Sequence, residues 1–206
     1  MPGIWEQINR SAADVVAQVA RSVVQLVSDE GSVGAGTVWD ANGIILTNAH
    51  VAIGRRSPRR LEAILADNRR VAASLVAYDE KQDLAALEIH TDKLVPIRIG
   101  DSSLVKPGDY MMALGHPWGM VDALTAGVVI GRGENLPEME GREWIALDMK
   151  MRPGHSGGAL FSASGEMMGV NTLIRGPEVS FAVPVNRARA FMRDVLRANK
   201  RESAYI

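Results

Sequence analysis

The chain has 206 residues, a formal net charge of −1 and no cysteine. Its length suits one large all-β domain or two small barrels sharing a cleft, and leaves no room for a third module. The near-neutral charge excludes a global bias toward nucleic acid or an anionic membrane surface, and the missing thiols exclude disulfides, thiolate metal sites and a cysteine nucleophile.

Ile4, Ile8, Ala12, Val15, Val16 and Val19 recur at helical spacing, so residues 4 to about 20 read as an amphipathic helix within an N-terminal segment, 1–21. Glu6, Asn9, Arg10, Asp14, Gln18 and Arg21 interrupt any apolar signal core, and no later run reaches membrane-spanning length. A cytoplasmic protein without membrane contact is expected, or a periplasmic or cell-envelope one if a leader has been removed. Trp5 is expected to staple the helix to its own domain; the alternative is an aromatic anchor for a neighbouring subunit.

From residue 22 onward short β-rich runs alternate with turn signals. Ser22–Val27, Gly34–Trp39, Ile44–Thr47, Leu61–Ala66, Val71–Ala77 and Leu84–Ile89 make one barrel, about 22–95. Residues 90–107, with Pro96, Gly100, Ser102, Ser103 and Pro107, read as a linker. Asp109–Leu114, Ala123–Ile130, Trp144–Met149, Ala159–Phe161, Met167–Leu173 and Val179–Val183 make a second barrel, about 108–185. Ala188, Phe191, Met192, Val195 and Leu196 then mark a C-terminal helix in 186–206, with Asn186 as its candidate N-cap. The predicted fold is all-β, a double six-stranded β-barrel flanked by two helices.

The chemistry concentrates in Pro153-Gly154-His155-Ser156-Gly157-Gly158. Glycines around one serine permit close backbone approach and leave amide donors beside a nucleophile. The strained elbow of α/β-hydrolases shares the Gly-x-Ser-x-Gly pattern but needs a histidine after the serine; the four here, His50, His90, His116 and His155, all precede Ser156. A serine hydroxyl needs a histidine base, and the base needs a carboxylate to fix its tautomer. His50 ends the apolar strand Ile44-Ile45-Leu46-Thr47, and Asp83 stands immediately before Leu84-Ala85-Ala86-Leu87, whereas Asp79 and Asp92 lie in more polar contexts.

Thr47-Asn48-Ala49-His50-Val51, Asp83-Leu84-Ala85-Ala86-Leu87 and Gly154-His155-Ser156-Gly157-Gly158-Ala159-Leu160 resemble the three catalytic blocks of the HtrA (Deg) branch of chymotrypsin-like serine proteases. The flanks Gly34-Ala35-Gly36-Thr37, Ala113-Leu114-Gly115-His116-Pro117-Trp118-Gly119, Leu124-Thr125-Ala126-Gly127-Val128-Val129, Gly169-Val170-Asn171-Thr172 and Ser180-Phe181-Ala182-Val183-Pro184 extend the similarity over about residues 20–198. The resemblance implies an active site between two barrels and peptide-bond hydrolysis through an acyl-enzyme. His50 would be general base and then acid, Asp83 its orienting group and Ser156 the nucleophile, with the amides of Gly154 and Ser156 as oxyanion hole. No metal or organic cofactor is implied. Polypeptides in unfolded or flexible states would be the substrates, in quality control or processing. A protease-like binding protein or chaperone with an inactive or partner-activated site is the alternative, and a small esterase a third.

The chain also departs from that family. His155 stands where asparagine or aspartate is usual; it reads as a turn residue pointing away from the catalytic groups, or as a titrating side chain that biases the Gly154 peptide. No PDZ domain is expected, and Trp5 is the candidate for a homotrimer contact of the kind the family forms. By resemblance Met151, Asn171, Thr172, Leu173 and Ile174 line the primary pocket and favour an aliphatic side chain, unless Lys150 turns in and favours an acidic one. Arg55, Arg56, Arg59, Arg60, Arg69 and Arg70 read as solvated arginines and carry no nucleic-acid reading, and residues 131–143 fall where the family has a sensor loop or are a flexible surface loop.

Overall fold

The structure is a computed structural model that describes residues 3–29, 31–53, 59–134, 142–172 and 179–202. Helix α1 (Ile4–Ala20) leads into strands β1 (Val23–Ser28), β2 (Gly31–Val38) and β3 (Ile44–Thr47), a single helical turn α2 (Ala49–Ala52), and strands β4 (Leu61–Ile64), β5 (Arg70–Asp79) and β6 (Leu84–Ile89). A second set follows: β7 (Tyr110–Gly115), β8 (Ala123–Gly133), β9 (Trp144–Asp148), β10 (Ala159–Ser162), β11 (Met167–Thr172), β12 (Ser180–Pro184) and helix α3 (Val185–Glu202). Each set closes into an antiparallel barrel, in the orders β1-β2-β3-β6-β5-β4 and β10-β11-β12-β9-β8-β7.

The apolar pattern explains how the barrels meet. Strands β3 and β6 are buried on both faces, so they read as continuous hydrophobic runs and not as alternating ones. Ile45, Ala85, Leu87 and Ile89 fill the first barrel with Val24 and Leu26, whereas Ile44, Leu46, Leu84 and Ala86 face the seam. The second barrel divides likewise: Met111, Ala113, Leu160 and Ala182 point inward, while Met112, Leu114, Ala159, Phe161 and Val183 point to the same seam. Val19 and Ala20 of α1 and Ala188, Met192 and Val195 of α3 join that seam cluster, so one core joins both barrels and both helices.

Several boundaries differ from the sequence reading for local reasons. Strand β4 stops at Ile64 because the chain turns there, with Leu65 N–H donating to Arg69 O at 2.9 Å and Asn68 left-handed at φ 66°. Residues 90–107 are no free linker: Ile97 and Val105 are buried, and Ile99 bridges to Met167. Asn186 is not an N-cap, since α3 already begins at Val185; its Nδ2 donates to Asp101 Oδ1 at 2.7 Å and fastens the helix to that segment. Trp5 does not staple α1 to the body, being 75% exposed. Arg55 and Arg56 lie outside the described residues, as does 135–141 of the expected sensor loop, whose first residues prolong β8 to Gly133.

Phe161 is fully buried at the seam. Truncation to alanine removes a ring that both barrels enclose, so Phe161→Ala is expected to cost about 3–5 kcal/mol, read as a lowered urea midpoint. A midpoint within error of wild type would show that the barrels do not share a core.

Candidate active site

The site begins where β3 runs out. Asn48 leaves the strand in an extended conformation, and its Nδ2 donates to Asp83 O at 2.9 Å. The turn α2 then buries Ala49, Val51 and Ala52 and leaves His50 outward, its side chain 48% exposed. Asp83 closes the turn before β6 in the left-handed region, φ 53°, which aspartate tolerates better than most residues. That conformation turns its carboxylate onto His50: Oδ1 accepts from His50 N–H at 3.1 Å, and His50 Nδ1 lies 2.9 Å from Oδ2. Because a carboxylate only accepts, Nδ1 carries the proton and Nε2 keeps its lone pair. Among the described residues the ring of His50 bonds to nothing but Asp83, so Nε2 is uncommitted.

The loop before Ser156 is held almost wholly by its own backbone. Met151 N–H donates to Ser180 Oγ and Arg152 N–H to His155 Nδ1; His155 N–H donates to Arg152 O, Gly157 N–H to Asn171 O and Gly158 N–H to His155 O. Pro153 has no N–H. Between Met151 and Gly158 only the amides of Gly154 and Ser156 donate to nothing among the described residues. Neighbouring strands fix the loop from outside: His116 N–H donates to Gly154 O at 2.9 Å and Ala35 N–H to Ser156 O at 2.8 Å. Gly154, at φ +106°, lies so close to the next turn that a Cβ would come within 2.5 Å of Pro117 Cα, and at Gly157, φ +83°, it would overlap Ala35 O. A buried serine, an imidazole with a free Nε2 and two unspent amides are the parts of an acyl-transfer site.

The trypsin-like peptidase domain family matches residues 34–170. The chain belongs to this family. A probable periplasmic serine endoprotease of DegP-like type from Hahella chejuensis is 37% identical over 80% of this chain and 35% of its own length. The mitochondrial serine protease HTRA2 of Drosophila erecta is 33% identical over 94% of this chain and 50% of its own. Among solved structures, the HtrA-type protease AlgW with a decapeptide superposes with a TM-score of 0.83 at 28% identity, covering 90% of this chain and 67% of that one. The relatives and solved structures that the chain resembles are proteases of the HtrA (Deg) branch, and the chain spans about a third to a half of the curated relatives' length.

Within this family member the residues expected to line the primary pocket divide. Met151 is buried in the second barrel's core cluster. Asn171 is fully buried, and its Nδ2 donates to Leu114 O and Ala159 O, so the side chain braces strands and does not face a ligand. Thr172 spends its hydroxyl on Asp83, donating to Oδ2 at 2.9 Å, a role that sequence reasoning missed. Ser180 was missed as well; its Oγ accepts from Met151 N–H and donates to Met149 O at 2.6 Å. Lys150 is exposed, and Leu173 and Ile174 lie outside the described residues. Among the described residues no cluster could hold a metal ion, and no helix is long and apolar enough to cross a membrane.

His155 closes the turn Arg152–His155, and its side chain is buried. It is 2% exposed and His116 is 4% exposed, and among the described residues each leaves Nε2 buried with no hydrogen bond within normal distance. Burial first, and then the neighbouring His155, pushes His116 down to about 4; burial lowers His155 too. A histidine with a lowered folded value binds fewer protons folded than unfolded. Its contribution is therefore complete above its ordinary 6.5 and is lost as pH falls toward about 4. For His116 the loss is roughly 3 kcal/mol at about 1.4 kcal/mol per unit. His116→Asn should shrink the drop in urea midpoint between about pH 7 and pH 4, and equal drops in variant and wild type would show that another group is responsible.

Proposed function

We infer that this chain is the proteolytic part of a serine endopeptidase that cleaves unfolded or flexible polypeptide segments. The observation that carries the reading is the pairing of a carboxylate-held His50, its Nε2 free, with the two unspent amides that bracket His155 beside Ser156. In the mechanism this supports, His50 Nε2 takes the proton of Ser156 Oγ as the oxygen adds to the substrate carbonyl. The carbonyl oxygen becomes an anion to which Gly154 and Ser156 donate, an interaction strongest in the transition state. Asp83 steadies the imidazolium, which then protonates the departing amine, and a water activated by His50 hydrolyses the acyl-enzyme. AlgW bound to peptides, and relatives named as endoproteases, support polypeptide substrates. Without cysteine, the fold needs neither an oxidising nor a reducing compartment.

Fluorophosphonate labelling tests this directly. Wild type should label and digest casein, whereas Ser156→Ala should lower turnover by about a millionfold and Asp83→Asn by about ten-thousandfold, on the scale of serine proteases of other folds. A folded wild type that neither labels nor cleaves would establish the binding-protein reading instead.

The apolar residues Ile4, Trp5 and Ile8, all exposed on α1, support a homotrimer built through the N-terminal segment. Sedimentation velocity should then show a trimer that Trp5→Ala converts to monomer. A monomeric wild type at micromolar concentration would sink the idea.

A further inference from the structure

Both buried histidines sit against the loop that carries the proposed oxyanion donors. His155 lies between those donors in the chain, and its Nδ1 is 3.2 Å from both Arg152 N and Arg152 O. The ring thus closes the turn Arg152–His155 from within, alongside the backbone bond from His155 N–H to Arg152 O at 3.0 Å. His116 is the residue whose own N–H holds Gly154 O. Its Nδ1 accepts from Asp122 N–H at 3.3 Å, which fixes the neutral ring with its proton on Nε2. The two segments pack closely one residue before His116, where a Cβ on Gly115 would meet His155 Cα at 2.5 Å, and His155 acts electrostatically on His116.

We propose that His155, seated against His116, is a positioning residue for the oxyanion loop that works only while both imidazoles are neutral, so that acid disables the site independently of His50. This rests on the serine-peptidase reading above. The neutral Nδ1 of His155 can accept from Arg152 N–H; a protonated ring cannot, and that amide loses its acceptor. Among the described residues neither ring has an ion-pair partner for its charge. The charged and titratable groups facing the pair are the two rings themselves, Arg152 and Asp122. Arg152 repels an imidazolium, and the Asp122 carboxyl is itself pushed up by burial, toward its neutral form. Two carbonyls, of Arg152 and Ala123, favour the charged form of His155 without outweighing burial. The cheapest relief is for the loop to open and hydrate the ring, which moves Gly154 and Ser156 away from their working positions.

The test is the acid limb of kcat/KM on a peptide substrate, in wild type, His155→Asn and His116→Asn, with far-UV circular dichroism at each pH. One essential deprotonated group, His50, gives a limb that falls about tenfold per pH unit. In wild type the limb should steepen toward about a hundredfold per unit below the first break, reversibly and with unchanged circular dichroism. In His155→Asn it should stay near tenfold throughout. A tenfold limb in wild type, a steep limb retained in both variants, or activity lost together with secondary structure would each overturn the proposal. If wild type hydrolyses nothing at any pH, the peptidase reading fails separately. The latch is then read by NMR, in which the Gly154 and Ser156 amide shifts must follow the titration of His116 and His155; amides that ignore it overturn the latch on its own.

Discussion

The Asp83 carboxylate is the contact on which the rest of the site depends, because it receives donors from both barrels at once. Oδ1 and Oδ2 hold His50, which belongs to the first barrel, and Oδ2 also accepts from Thr172 on β11 of the second. A partly buried carboxylate needs such donors to satisfy its oxygens. The same donors decide where the imidazole sits, so solvating the carboxylate, orienting the His50 ring and docking the barrels are one set of bonds. Asn48 adds a further tie by holding the Asp83 carbonyl, which fixes the left-handed turn that aims the side chain.

The nucleophile loop repeats this economy with backbone atoms. Ser156 belongs to the second barrel, yet its carbonyl is held by Ala35 N–H of β2, and Thr37 Oγ1 lies 3.4 Å from Gly157 O. Glycine is required there on steric grounds, since at Gly157 and Gly158 a Cβ would run into Ala35 O and Leu114 O. Two barrels can approach this closely only where the chain has no side chain to interpose.

The residue pattern made much of this legible and hid the rest for identifiable reasons. Strand alternation and continuous apolar runs located twelve strands, because β3 and β6 are buried on both faces and β8 is not. The blocks around His50, Asp83 and Ser156 could be found because each joins a polar residue to a strand end or a glycine turn. The direction of side chains at those ends was not legible. Asn171 and Thr172 are neighbours on β11 and point opposite ways, one into strand carbonyls and one onto Asp83, and only the register of β11 against β12 decides which. Helix α2 is a single turn, too short for any periodic signal. The burial of His155 was not legible, because it comes from the segment Gly115–Ala123, remote in sequence, packing beside it.

The shared core constrains how this site can be controlled. Hinge-like opening of the barrels would expose Leu46, Leu84, Leu114 and Phe161 together and break the Thr172–Asp83 bond, so inter-barrel motion is a costly route to regulation. The parts free to change at lower cost are loops outside that core. Trp118 is 70% exposed, left-handed at φ 54°, and carries Arg152 stacked over its ring at 5.5 Å. That stack joins the turn after β7 to the loop before Ser156 through a surface contact worth about 0.5–1 kcal/mol. An interaction so small can be exchanged for a contact with another polypeptide without disturbing either barrel. The stack is thus a surface link between the turn after β7 and the Arg152–His155 turn that involves neither His50 nor Asp83.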